Sequence, residues 1–283
     1  MTECSWSPDI GNSRLCSRLV TTGFTPAGKA QIYYESVGEG RPVVFIHAGV
    51  ADSRMWDPQF EEAPEGFQFV RLDLRGFGNT RIPKEQYTDC EDTLAVMDHL
   101  EIERATIVGC SIGAEVALDL ATFAPYRLSG LTLVGADAPG FDPVSDYRSE
   151  QWPDAIAAFE AGDLRRAAAL EAEIWLVGGA RNKADVDSAL FEKFVDMDAG
   201  ALRTETKREQ RRRAPQLEAL PHVDIPTLIV VGEHDIPQLI EASEHLREMI
   251  EHSTRVVIED AAHLPSFEQP EAFNEAFFGF LGA

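Results

Sequence analysis

The stretch ATIVGCSIGAEVALDLA, from Ala105 to Ala121, decides how the rest of the chain is read. Its first residues are small, apolar or β-branched, as in a strand buried on both faces. Its last residues, with Val116, Leu118 and Leu120, read as a helix that stops at Pro125. Between them stands Gly109-Cys110-Ser111-Ile112-Gly113. A strand that turns directly into a helix strains its central residue and crowds its neighbours. Small residues two before and two after relieve that crowding. The spacing therefore predicts a tight turn with the Ser111 hydroxyl at its apex. There it sits at a helix N-terminus, whose unpaired N–H groups favour negative charge. Cys110 falls off the apex and reads as a buried packing residue.

Outward from this turn, apolar runs of strand length alternate with helical periods. AQIYYESVG reads as a strand, paired with TTGFTPAG across a turn at Pro26–Gly28. RPVVFIH, FQFVRLDLRG, ATIVG, LSGLTLVGA, PTLIVVGE and TRVVIED follow as buried strands. DCEDTLAVMDHLEI, QLIEASEHLREMI and PEAFNEAFFGFL carry amphipathic helical spacing. This alternation predicts an α/β fold with a mostly parallel central sheet flanked by helices. The alternation breaks once, after the sixth strand, where WPDAIAAFEAG, LRRAAALEAEIWLVG, VDSALFEKFVDM and TETKREQRRRAPQLEAL are helical without a buried strand. The expected organisation is an N-terminal arm over 1–20, a core over 21–139 and 221–283, and a helical cap over 140–220. Segments inserted at strand ends tend to sit where ligands bind, which favours a lid over an appendage.

The composition sets outer limits. The chain has 283 residues, is 44% hydrophobic and 26% charged, and carries a net charge of −23. That balance suits a globular protein. It argues against nucleic acid and anionic membranes as partners, since phosphate binding needs a basic footprint. The basic run KREQRRR, Lys207–Arg213, reads mainly as a solvated helix face, with an anionic substrate as the alternative. Cys4, Cys16, Cys90 and Cys110 have no CxxC spacing and suggest neither a zinc site nor a disulfide framework. No signal peptide or membrane span is expected, which points to the cytoplasm.

A serine hydroxyl becomes a nucleophile only with a base, and the base needs an orienting acid. In a sheet of this kind both should come later in the chain, just past strand ends. Asp235 closes TLIVVGEHD, and His263 stands in the loop after TRVVIED. Asp137, after LTLVGA, competes with Asp235 for the acid role, and Asp235 is favoured by chain order. Asp235 could equally cap the helix that follows it. Oxyanion donors are expected from the backbone N–H of Ile112 and from Gly49, in the loop after RPVVFIH, where no side chain obstructs approach. Trp152, Phe159 and Trp175 are candidates to line a pocket or to pack the insert's own core.

These motifs together resemble the α/β-hydrolase superfamily, in particular its capped Ser-His-Asp hydrolases such as enol-lactonases, carboxylesterases and non-metal haloperoxidases. HAGV stands where the family has HG-x, and DLRGFGNT resembles its D-x-R-G-x-G-x-S turn. GCSIG is similar to the nucleophile elbow, GEHD to the acid loop and AAHLPSFEQP to the histidine loop. The resemblance implies Ser111 as nucleophile, His263 as base, Asp235 as acid, and Gly49 and Ile112 as oxyanion donors, with no metal or cofactor. It implies that His47 braces the oxyanion loop. Ala48, in place of the usual glycine, is expected to stiffen that loop, and Thr80 replaces the commoner serine. The implied activity is hydrolysis of a small-molecule carboxylic ester or lactone. Carbon–carbon hydrolysis of a diketone on the same residues is the alternative, as is a small-molecule receptor that turns over slowly.

Overall fold

The computed structural model describes residues 19–145, 149–208 and 223–282. Most of the expected arm, the segment 209–222 and Cys4 and Cys16 lie outside the described residues. The chain opens with a hairpin, β1 (Thr21–Ala27) and β2 (Ala30–Gly38), closed by Gly28 and Lys29. The turn thus falls later than expected. Pro26 lies within β1, an edge strand, where its missing N–H is tolerated. β3 (Arg41–Ile46) leads through the short helix α1 (Asp57–Glu61) to β4 (Phe67–Leu72). α2 (Asp89–His99), β5 (Ala105–Cys110), α3 (Ile112–Phe123) and β6 (Leu128–Val134) follow.

Between β6 and β7 the regular elements among the described residues are helical. They are α4 (Trp152–Glu160), α5 (Leu164–Ala172), a wide π-type turn over Glu173–Val177, and α6 (Ser188–Leu202). The described start of the basic run, Lys207 and Arg208, lies at the end of a single 3-10 turn, and the rest lies outside the described residues. The chain returns to the sheet with β7 (Thr227–Gly232), α7 (Pro237–Met249) and β8 (Ser253–Ile258), and closes on α8 (Pro265–Glu268) and α9 (Pro270–Leu281). No helix among the described residues is long and apolar enough to cross a membrane.

The eight strands form one sheet in the order β1-β2-β4-β3-β5-β6-β7-β8. Only β2 runs against its neighbours, and every pairing from β4 to β8 is parallel. β3 and β5 lie at the centre, and Val43, Val44, Phe45, Ile46, Ile107 and Val108 are fully buried there. Each large side chain so buried contributes about 1.5–3 kcal/mol. α2, α3 and α7 cover one face through Val96, Met97, Ala114 and Leu246. α1 and α9 cover the other, where the rings of Phe45, Phe69 and Phe277 pack tilted or edge to face with centroids 4.9–6.3 Å apart. β8 is the other edge. Its Val257 is exposed, so TRVVIED is half-buried rather than enclosed on both faces.

The chain moves from β3 outward to β4, then crosses back past β3 to β5. The loops after β3 and β5 therefore diverge at the carboxyl ends of adjacent strands, the crevice where open α/β sheets bind ligands.

The turn Asp73–Thr80 stabilises this end of the sheet. The Asp73 carboxylate accepts from the backbone N–H of Ser53 at 2.8 Å and of Asn79 at 2.7 Å. Arg75 is buried and donates to both carboxylate oxygens of Asp92, at 2.6 and 2.7 Å, to Glu85 at 2.6 Å and to the Ala27 carbonyl at 3.0 Å. Burial pushes the Asp92 carboxyl up, and the guanidinium opposes that shift. Arg75→Ala would leave Asp92 buried without its partner. The expected loss is about 3–5 kcal/mol, read as a lower urea midpoint at unchanged slope.

Candidate active site

Ser111 follows β5 with φ +53° and ψ −116°, a backbone state that a non-glycine residue adopts only when its surroundings enforce it. The enforcement is steric. A methyl group on Gly109 would lie 2.0 Å from the Gly113 carbonyl oxygen, and one on Gly113 would lie 2.3 Å from that of Ile46. Both glycines are thus demanded by backbone approach, as the sequence spacing predicts. Gly113→Ala is expected to destabilise the protein by about 3 kcal/mol through overpacking against the backbone of β3. Thermal unfolding checks this. Cys110 is fully buried at the end of β5, with its thiol 3.8 Å from the His263 carbonyl. Burial pushes its thiol well up, so it is a packing residue and not a thiolate.

His263 and Asp235 meet across the ends of β7 and β8. His263 Nδ1 lies 3.1 Å from each Asp235 carboxylate oxygen, and both residues are buried. A carboxylate only accepts, so Nδ1 carries the proton and Nε2 keeps its lone pair. Asp235 does not cap α7. Its Oδ1 accepts from the next N–H, that of Ile236, at 2.8 Å, and the helix has no side-chain cap. Asp137 is exposed and turned onto the N–H of Ala138 at 2.8 Å. Of the two candidate acids, the fold brings only Asp235 to the imidazole.

The histidine loop is held from three sides. The His263 N–H donates to the Trp175 carbonyl at 3.0 Å, which ties it to the π-type turn after α5. The Trp175 ring lies against the imidazole at a centroid distance of 4.6 Å. Glu268, from α8, accepts from the N–H groups of Ala262 and Leu264, both at 2.9 Å, and pairs with Arg181. One buried carboxylate thus grips the residues on either side of His263. Sequence reading quoted Glu268 within AAHLPSFEQP but gave it no role. Gly135, with φ +53°, leaves the space the imidazole fills, since a methyl there would lie 3.0 Å from Nδ1.

The loop after β3 supplies the opposite wall. His47 is fully buried and accepts from the Leu74 N–H through Nε2 at 3.0 Å, while its Nδ1 donates to the Ala48 carbonyl at 2.8 Å. Burial lowers its pKa. It braces the loop, as the resemblance implies. The Ala48 N–H faces the sulfur of Met55 at 3.3 Å, so it is committed away from the crevice. Gly49 packs beside Ile112, and a methyl at 49 would lie 3.7 Å from Ile112 Cγ2. That is ordinary contact, so packing does not require glycine there.

Ser111, His263, Gly49 and Ile112 all line one cavity of ≈ 500 Å³, under α4–α6. Trp152, Phe159 and Trp175 line it too, and Trp152 and Trp175 also meet edge to face at 5.9 Å. The same cavity holds Glu171, Asp198 and Glu205, which sequence reading did not single out as a site, and Arg208, from the basic run for which an anionic substrate was the alternative reading. One signal was available. Asp198 shares a helical stripe with Phe191, Phe194 and Ala201, all buried.

A family model, the alpha/beta hydrolase fold, matches residues 41–270. The chain belongs to this family and is a hydrolase. It is similar to 3-oxoadipate enol-lactonase 1 of Acinetobacter baylyi, 28% identical over 246 residues, which are 84% of this chain and 88% of the relative. The solved enol-lactonase of Burkholderia xenovorans LB400 superposes with a TM-score of 0.76 at 22% identity, covering 92% of this chain and all of that one (100%), and shares the fold. A thermophilic esterase from Thermogutta terrifontis, solved with malate bound, gives a TM-score of 0.72 at 27% identity over 93% of this chain and 98% of that one.

Proposed function

We propose that the protein hydrolyses a small carboxylic ester or lactone through an acyl-enzyme on Ser111. The observation that carries this is the His263–Asp235 bond, at 3.1 Å to both oxygens, on the wall of the cavity that also holds the strained Ser111. The likeness to a named enol-lactonase and a named esterase supports the same substrate class. Ser111 attacks the carbonyl carbon while His263 Nε2 takes the hydroxyl proton. Asp235 holds the imidazole in that tautomer and stabilises the imidazolium that forms. The N–H groups of Ile112 and Gly49 receive the developing oxyanion, each worth about 10²–10³ in rate. His263 then returns the proton to the leaving alcohol, and water, activated by the same imidazole, releases the acid. α4–α6 act as the lid that shapes the acyl site.

The test is labelling by a fluorophosphonate probe. The wild-type chain should take one label, on Ser111, and the Ser111→Ala variant none. Equal labelling of the two would overturn the assignment of Ser111. A panel of esters, lactones and one β-diketone, graded in acyl length, separates ester from carbon–carbon hydrolysis.

A further inference from the structure

Beyond Ser111 and His263, the cavity contains a second group of polar side chains that catalysis does not use. Asp198, on α6, is 1% exposed, lines the cavity, and has a carboxyl oxygen, Oδ2, with no hydrogen-bond partner. Arg208 faces the same space. Its terminal nitrogens bond Glu205 at 2.8 Å and the Ala201 carbonyl at 2.7 Å, and its plane lies 3.8 Å from the Phe77 ring centroid. Its Nε–H is buried and has no partner among the described residues. A buried polar atom without a partner costs about 1–3 kcal/mol, and three residues that line this cavity carry one: Trp175, at Nε1, and the charged pair Asp198 and Arg208, which calls for an explanation. Folding gains nothing from leaving them so. A ligand that satisfies both would gain.

A ligand group that answers both would accept from Arg208 Nε–H and meet Asp198 Oδ2. Burial, and after it the neighbouring Glu171 and Glu205, raise the Asp198 carboxyl, and burial pushes Glu171 itself up to about 7. An uncharged partner adds no further charge to this buried acidic group. A hydroxyl or an amide can both donate and accept, so it matches either protonation state of Asp198.

We propose that Asp198 and Arg208 form a recognition site for a hydroxyl or amide group on the substrate, in the same cavity as the reacting carbonyl. The proposal rests on the ester hydrolase reading and narrows its substrate to a polar-substituted ester or lactone. A site built to bond a hydroxyl discriminates strongly against the analogue that lacks it, because the buried partners are then left unpaired. The aromatic side chains of the lid would hold the intervening apolar part of the substrate.

The experiment compares p-nitrophenyl esters of straight-chain acids, graded in length, that end in methyl, hydroxyl or ammonium. At one chain length the hydroxyl ester should exceed its methyl partner in kcat/KM by about ten-fold or more. Equal rates at every length, or a preference for the ammonium ester, would overturn the proposal. Asp198→Leu should bring the hydroxyl-to-methyl ratio close to one while the methyl ester is turned over within about three-fold of wild type. Asp198→Asn, which keeps a donor and an acceptor, should retain part of the preference. An unchanged ratio in Asp198→Leu would overturn the assignment. Removing an unpaired buried acid should leave the Leu variant at least as heat-stable as wild type. If wild type turns over no ester, the hydrolase reading fails and the recognition site is read by binding. The Ser111→Ala variant is then titrated with the hydroxyl and methyl esters. A rise in Tm with the hydroxyl ester alone supports the site, and equal shifts overturn it.

Discussion

Ser111→Ala is expected to lower kcat on a p-nitrophenyl ester by about 10⁴–10⁶-fold, with residual turnover above the uncatalysed rate. The loss is large because the nucleophile and its base act as one unit, so removing either disables both. The residual turnover would come from the proposed backbone donors of Ile112 and Gly49, which the substitution does not touch. Fold and stability should be unchanged, since alanine fits where serine does and the strained φ of +53° is enforced by the packing of Gly109 and Gly113. Stopped assays with active-site titration check the effect. A variant that keeps more than a tenth of wild-type turnover would contradict the nucleophile assignment.

Asp235→Asn should lower kcat by about 10⁴-fold at neutral pH, with KM changed little. The carboxylate accepts from His263 Nδ1–H through both oxygens at 3.1 Å. An amide in its place can donate to Nδ1, which moves the imidazole proton to Nε2 and leaves no lone pair toward Ser111. It also removes the charge that stabilises the imidazolium. The split between kcat and KM separates this from a loss of folding, which would lower the active fraction and spare the kcat of what remains. Asp137→Asn serves as the control and should leave turnover unchanged, because Asp137 is exposed and bonds only its neighbour's N–H among the described contacts.

Several features were readable from residue order because their causes are local. The turn at Ser111 needs only two glycines at the right spacing, and the collisions at 2.0 and 2.3 Å show why. The central strands are apolar throughout because they are covered on both faces. The outermost strand, β8, misled for the same reason: its composition resembles the central ones, while its place at the edge leaves Val257 exposed. The hairpin turn was placed too early, since Pro26 is tolerated within an edge strand.

Other features have no local signature. Asp137 and Asp235 both follow strands, and only the folded chain turns one onto its own backbone and the other onto His263. Glu268 grips the loop on both sides of His263 because α8 folds back against it. Asp198 and Arg208 come from separate segments and line one cavity that exists only once the helices between β6 and β7 lie above the sheet.

Chain order and residue type were enough for the class of fold, the turn that presents Ser111 and the pair of loops that carry an acid and an imidazole, since periodicity and steric crowding act over a few neighbouring residues. Which acid meets the imidazole, what clamps its loop and which buried polar atoms are left without a partner among the described residues were settled by packing alone. Those outcomes depend on distances between segments far apart in the chain, and such distances are set by how helices and strands fill the space between them.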